Sequence, residues 1–189
     1  MEAYLDNSAT TRVDTQVQEL MKKLMDIDFG NPSSRHQKGV VAEGYIKEAR
    51  QKIAATLKVD PKELIITSGG TESNNMALIG TALAAKRKGN HIITTAVEHP
   101  SVKATASFLE EQGFRITFLS VDSRGQISLE ELKEALTPDT ILVSIMYVNN
   151  EIGTIQPVEE AAKLVHATVP GAVFHVDAIQ AYGKVVIRP

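Results

Sequence analysis

The chain has 189 residues, enough for one domain with a sizeable core, and 43% of them are hydrophobic, as in ordinary globular proteins. A net charge of −3 argues against DNA or an anionic membrane as partner, and the longest apolar run is far too short to cross a bilayer. No cysteine is present, which excludes disulfides, thiolate metal sites and a thiol nucleophile within these residues. Because Met1-Glu2-Ala3-Tyr4-Leu5-Asp6 lacks the basic-then-apolar pattern of a secretion signal, the expected location is cytoplasmic.

Residues 1–12 read as extended or irregular, and Val13, Val17, Leu20, Met21 and Leu24 then mark one face of a short helix. Gly30-Asn31-Pro32-Ser33-Ser34 is a loop by composition. A longer helix is predicted from Gln37 to Leu57, closed off by Asp60-Pro61. The pattern then alternates, with strands predicted over 63–68, 91–95, 115–120, 140–146 and 172–177. Helices fall between them at 71–88, 100–112, 128–136 and 157–168. Gly89-Asn90, Gly113 and Pro170-Gly171 sit where those helices should stop. Strands this apolar belong to a mostly parallel sheet covered on both faces, so the fold class is a three-layer α/β/α sandwich.

Two stretches carry most of the functional argument. In Leu64-Ile65-Ile66-Thr67-Ser68-Gly69-Gly70-Thr71-Glu72-Ser73-Asn74-Asn75 a strand-like run meets two glycines and a helix start. The first N–H groups of a helix lack internal partners and sit at its positive end, so they suit a phosphate. Gly69 and Gly70 remove the Cβ that would block it, and Thr71 and Ser73 add hydroxyls. The plainer alternative is a βα turn in which Thr71 caps the helix. The second stretch, Ala172 to Ala181, reads as a strand that ends on Asp177. A carboxylate there suits the protonated ring nitrogen of pyridoxal phosphate.

Three further residues fall at the same expected edge. His99, after the apolar run from Ile92 to Val97, suits stacking on a cofactor ring and moving protons. Asn149 leaves the next strand and suits donation to the ring oxygen, which Gln180, three residues after Asp177, also reaches. His175 and Asp177 share a strand face, but no second pair completes a metal site. Lys184 reads as the start of a further extended segment with a solvated charge.

Taken together, these stretches resemble the cysteine desulfurases of the class V aminotransferase group. The segments that carry the resemblance are Tyr4 to Thr11, Gly30-Asn31-Pro32-Ser33-Ser34-Arg35-His36, Thr67 to Asn75, Glu98-His99-Pro100-Ser101, Asn149 to Gly153, and His175 to Lys184. They follow in the family's order from end to end of the chain. The resemblance implies part of the large domain of a fold-type I enzyme, with residues 1–13 joining the small domain and 14–189 forming the N-terminal half of the large one. It implies that Gly70 and Thr71 hold the cofactor phosphate, His99 stacks and shuttles protons, Asp177 pairs with the ring nitrogen, and Asn149 and Gln180 tune the ring oxygen. The implied reaction takes sulfur from L-cysteine, leaving alanine and a persulfide for iron–sulfur cluster or thiolation pathways through a sulfur-acceptor protein.

The family's Schiff-base lysine, in a Ser-x-His-Lys segment, would fall past Pro189, as would its catalytic cysteine and substrate-carboxylate arginine. A homodimer, or association with a chain that supplies the C-terminal half, is therefore expected. The isolated chain should be inactive, with an apolar sheet edge or face exposed. The alternatives are a non-catalytic chain or interaction module with the same fold, and another class V enzyme such as a selenocysteine lyase or aminotransferase.

Overall fold

In the computed structural model, which describes residues 3–187, the predicted strands over 91–95 and 140–146 are buried at every residue, whereas those over 115–120 and 172–177 are only partly buried, because the first two are the central strands of a single four-stranded parallel sheet with helices on both faces. The chain divides into two compact units between Ile66 and Thr67, with Ile187 grouped with the first.

In the first unit, α1 (Thr15–Asp26) opens on Asp14, whose carboxylate accepts from Gln16 N. Its expected apolar face is present, yet Val17, Leu20 and Met21 are each about half exposed. α2 (Gln37–Leu57) is capped by His36 and ends on Lys58, the one non-glycine residue with a left-handed backbone among those described. Tyr45 joins the two helices by donating to Asp28 and accepting from Lys23 Nζ. Asp60 opens a 3-10 turn, Pro61–Glu63, in which Asp60 and Glu63 cap each other reciprocally.

The strand expected over 63–68 is a correction. Leu64 to Thr67 join no ladder, and Ile65 and Ile66 are 71% and 64% exposed. Their composition is that of a strand, but pairing requires a neighbour, and among the described residues none lies alongside.

The second unit holds the sheet, with β1 (His91–Thr95), β2 (Arg115–Leu119), β3 (Thr140–Met146) and β4 (Val173–Asp177) in the order β2-β1-β3-β4, all parallel. α3 (Gly70–Ala85) and α4 (Pro100–Glu111) cover one face, and α5 (Leu129–Ala135) and α6 (Val158–Thr168) the other. The alternation of side chains divides the core accordingly. Ile92 and Leu142 face Leu78, Val102 and Leu109, whereas Ile93, Val143 and Ile145 face Leu132, Ala161 and Val165. The ladder shifts register between His91 and Ile92, which leaves Ile141 as an extra residue and puts it on the same side as Leu142. All seven residues of β3 are buried, and each large apolar side chain there contributes about 1.5–3 kcal/mol.

Because the strands are parallel, their carboxyl ends share one edge, and His99, Asn149, Asp177 and Gln180 all lie at or just after it. Among the described residues β4 has one neighbouring strand, and apolar Val173, Ile179 and Tyr182 on and after it are about half exposed. Lys184 does not begin an extended segment. Residues 179–184 form consecutive turns, and Lys184 Nζ donates to Gln180 Oε1 at 2.7 Å.

Candidate functional site

α3 begins without a capping side chain. Its N-cap is Gly69, and the N–H groups of Gly70, Thr71 and Glu72 have no acceptor among the described residues, the first helical bond being Ser73 N to Gly69 O. Glu72 folds back to accept from both Ser68 N and Ser68 Oγ at 2.6 Å, which holds its carboxyl below the usual carboxylate range. Thr71 lies in the first turn with its hydroxyl unengaged, so the alternative in which Thr71 caps the helix does not describe this structure. Space is open where Gly69 would carry a Cβ. At Gly70 an added Cβ would overlap Ile179 Cδ1, two residues after Asp177. The uncapped helix start therefore lies against the end of β4.

One turn further along α3, Asn74 lies on the face that also bears Gly70, Leu78 and Ala82, and it is 3% exposed. Its amide nitrogen donates to Asp177 Oδ2 at 2.8 Å and to Ser101 Oγ at 3.0 Å. Ser101 in turn lies 2.8 Å from His99 Nδ1 through Oγ, and its backbone N–H donates to the same ring nitrogen at 3.1 Å. Asp177 Oδ1 accepts from Ile179 N. His99 and Asp177, at the ends of non-adjacent strands, are thus joined through two side chains of the helices between them.

A second set of contacts fixes the loop after β1. β1 stops at Thr95, so Met146 N, at the end of β3, has no strand partner on that side. Glu98 takes its place, accepting from Met146 N at 2.9 Å and from Thr95 Oγ1 at 2.8 Å, both through Oε1. Glu98 is 2% exposed and its Oε2 has no hydrogen-bond partner among the described residues. Burial raises its carboxyl to about 7, with the negative charge of Asp177 adding to the rise. Asn149 completes the tie, because its Nδ2 donates to Val97 O at 2.9 Å and contacts Met146 Sδ, while its Oδ1 accepts from Glu151 N and Ile152 N.

Of the residues read from the sequence, Gly70, Thr71, His99 and Asp177 gather at one place. Asn149 is at the same edge, but its amide is engaged by the protein, and a ring oxygen would have to displace the weak thioether contact. Gln180 Oε1 is occupied by Lys184. His175 Nδ1 is bonded to Ser144 Oγ, and burial lowers its pKa below the ordinary value for histidine. Sequence reasoning missed Asn74, Ser101 and Glu98. A signal existed for Asn74, since Gly70, Asn74, Leu78 and Ala82 recur at helical spacing with one polar member.

Residues 3–188 match the family description "Aminotransferase class-V". The chain belongs to the aminotransferase class-V family. It is 49% identical over 184 residues to a protein of Bacillus subtilis (strain 168) named "Putative cysteine desulfurase IscS 1", a match that covers 97% of this chain and 48% of that protein. A solved structure titled "NIFS-LIKE PROTEIN" superposes with a TM-score of 0.96 at 43% identity, covering 100% of this chain and 52% of that one. Another, titled "SspA in complex with cysteine", gives 0.92 at 39% identity, covering 98% and 53%. The chain spans about half the length of the curated relatives it matches, and its sheet is that of the class V neighbours.

Proposed function

We propose that this chain supplies the phosphate- and ring-binding part of a pyridoxal 5′-phosphate-dependent cysteine desulfurase. The observation that carries the reading is the junction at Gly70 and Ile179, which sets an uncapped helix start beside a buried carboxylate at a strand end. The residues present fit the cofactor. Free N–H groups at Gly70, Thr71 and Glu72, with the Thr71 hydroxyl, suit a phosphate, and each Asp177 oxygen has one protein donor and a lone pair left to accept a ring N–H. When bound, the cofactor supplies an electron sink for the carbon that bears an amino acid's amino group.

In this reading Asp177 holds the ring nitrogen, His99 lies against the ring face, and the Glu98 and Asn149 contacts keep the loop that carries His99 in place. L-Cysteine is the proposed substrate, supported by the names of the relatives and by the cysteine-bound title of one of them. With no cysteine in the sequence, the thiol that takes the sulfur lies outside these 189 residues, and the resemblance to the cysteine desulfurases puts the lysine that anchors the cofactor there as well. A complementary C-terminal half, homodimerisation, a sulfur-acceptor protein, service to iron–sulfur cluster assembly and a cytoplasmic location belong to the same proposal. So does the placing of residues 1–13 with a smaller domain.

Pyridoxamine 5′-phosphate, which forms no lysine adduct, tests the site in this chain. It should bind more tightly than pyridoxamine, and Asp177→Ala should weaken it about tenfold or more, the size of one charge-assisted hydrogen bond. Equal affinity for the two ligands, with no effect of Asp177→Ala, would remove the reading. Sulfide release from L-cysteine should be absent for the chain alone and appear when it is co-expressed with the C-terminal half of the Bacillus relative. Release from L-selenocysteine alone would instead favour a selenocysteine lyase.

A further inference from the structure

Hydrogen-bond direction along the path from Asp177 to His99 is determined by chemistry at each step. A carboxylate oxygen only accepts, so the Asn74 atom 2.8 Å from Asp177 Oδ2 is the amide nitrogen. The same nitrogen gives its second hydrogen to Ser101 Oγ. With a lone pair of that oxygen taken, the Ser101 hydroxyl hydrogen is free to point at His99 Nδ1, 2.8 Å away. Ser101 N–H, which can only donate, reaches the same nitrogen. Nδ1 therefore receives two hydrogens and carries none.

We propose that Asn74 and Ser101 are positioning residues that hold His99 as the tautomer protonated on Nε2 and tie its orientation to Asp177. Asn74, Ser101 and Asp177 are 3%, 8% and 6% exposed, so water does not compete for these bonds. Nε2 makes no hydrogen bond to any described residue, and it is the nitrogen left to face a ligand. In the resting state His99 accordingly offers a hydrogen-bond donor, and a proton can enter the neutral ring only at Nδ1, where Ser101 already occupies the lone pair. As the protein rests, the ring is not a base at Nε2. The inference rests on the proposed site only for what Nε2 faces; the tautomer itself is a property of this chain.

The test therefore uses the full chain without cofactor or substrate. Histidine-selective ¹⁵N labelling and long-range ¹H–¹⁵N correlation at alkaline pH report the tautomer of each ring directly, and His99→Gln assigns the signal. Wild type should show His99 as a single Nε2–H form. Ser101→Ala and Asn74→Ala should raise the Nδ1–H fraction, the tautomer ratio moving about fivefold as expected for one neutral hydrogen bond. Ser101→Thr, which keeps the hydroxyl, should restore the wild-type spectrum, and unchanged His91 and His175 signals exclude general disruption. An Nδ1–H form or a mixture in wild type would overturn the proposal, as would a Ser101→Ala spectrum identical to wild type. A chain with the stated tautomer that binds no pyridoxamine 5′-phosphate would refute the proposed function and leave this inference standing.

Discussion

The two ends of β1 carry the same chemistry to opposite effect. At the amino end, His91 is fully buried, its Nδ1 bonded to Thr140 Oγ1 and its Nε2 to Thr117 Oγ1, each at 2.8 Å, with Thr137 close by. Burial, with the nearby Arg115 charge, depresses this imidazole to about 4. At the carboxyl end, His99 is half-buried and uses one nitrogen, and the Glu98 beside it has a carboxylate oxygen without a partner. A network in which every atom is satisfied has nothing left to offer and serves the fold. One that leaves atoms over, in a protein that seldom buries polar atoms unpaired, marks where something else is to be bound.

The comparison breaks first at His91. His91→Ala should cost about 3–5 kcal/mol, since it opens a cavity and strips partners from two buried threonine hydroxyls. Pyridoxamine 5′-phosphate binding by the fraction that remains folded should not change. Chemical denaturation and ligand titration on the same protein check both halves. A small stability loss, or a large affinity loss, would mean the two ends are not separable.

Glu98 sharpens the contrast through pH. Its carboxyl titrates near 7 in the folded chain against an ordinary value of 4.5, because burial disfavours the charge. The folded state therefore binds the proton more tightly than the unfolded state. Its contribution is fully present below about 4.5 and is lost as pH rises through 7, a swing of about 3 kcal/mol. His91 and His175, with lowered values, act in the opposite direction over more acidic pH, so the informative quantity is a difference between variants. Glu98→Gln keeps an acceptor for Met146 N and has no charge to bury. Its stability relative to wild type should rise by about that amount between pH 4.5 and 8. A flat difference across that range would mean that Glu98 does not titrate as a buried carboxyl.

Much of this layout was legible in the sequence, and what was not has physical reasons. Among the described residues, periodicity located the six α-helices and apolar runs located the four paired strands, of which β1 and β3 are buried on both faces. The run from Leu64 to Ile66 looks the same, yet pairing depends on a neighbour elsewhere in space. Gly70 and Thr71 were legible at a glycine-marked helix start, His99 between a strand and a helix, and Asp177 at a strand end. Ser101 and Glu98 flank His99 but act through contacts with α3 and β3 that no local pattern shows. Glutamate is moreover a residue ordinarily expected at the surface.

The smallest expected effect tests what the start of α3 is built for. Gly69 has an extended backbone, φ 163° and ψ −178°, that any residue adopts, and nothing lies within 4 Å of where its Cβ would be. Conformation therefore does not explain a glycine there. Gly69→Ser introduces the hydroxyl that helix starts ordinarily carry, within reach of the free N–H groups of Thr71 and Glu72, and should raise stability by a few tenths of a kcal/mol. Occupying those same donors, it should also weaken pyridoxamine 5′-phosphate several-fold while leaving pyridoxamine unaffected. A gain in stability with phosphate affinity intact would show that the bare N–H groups are merely an uncapped end. The opposed pair of changes would show that the cap is left open for the phosphate.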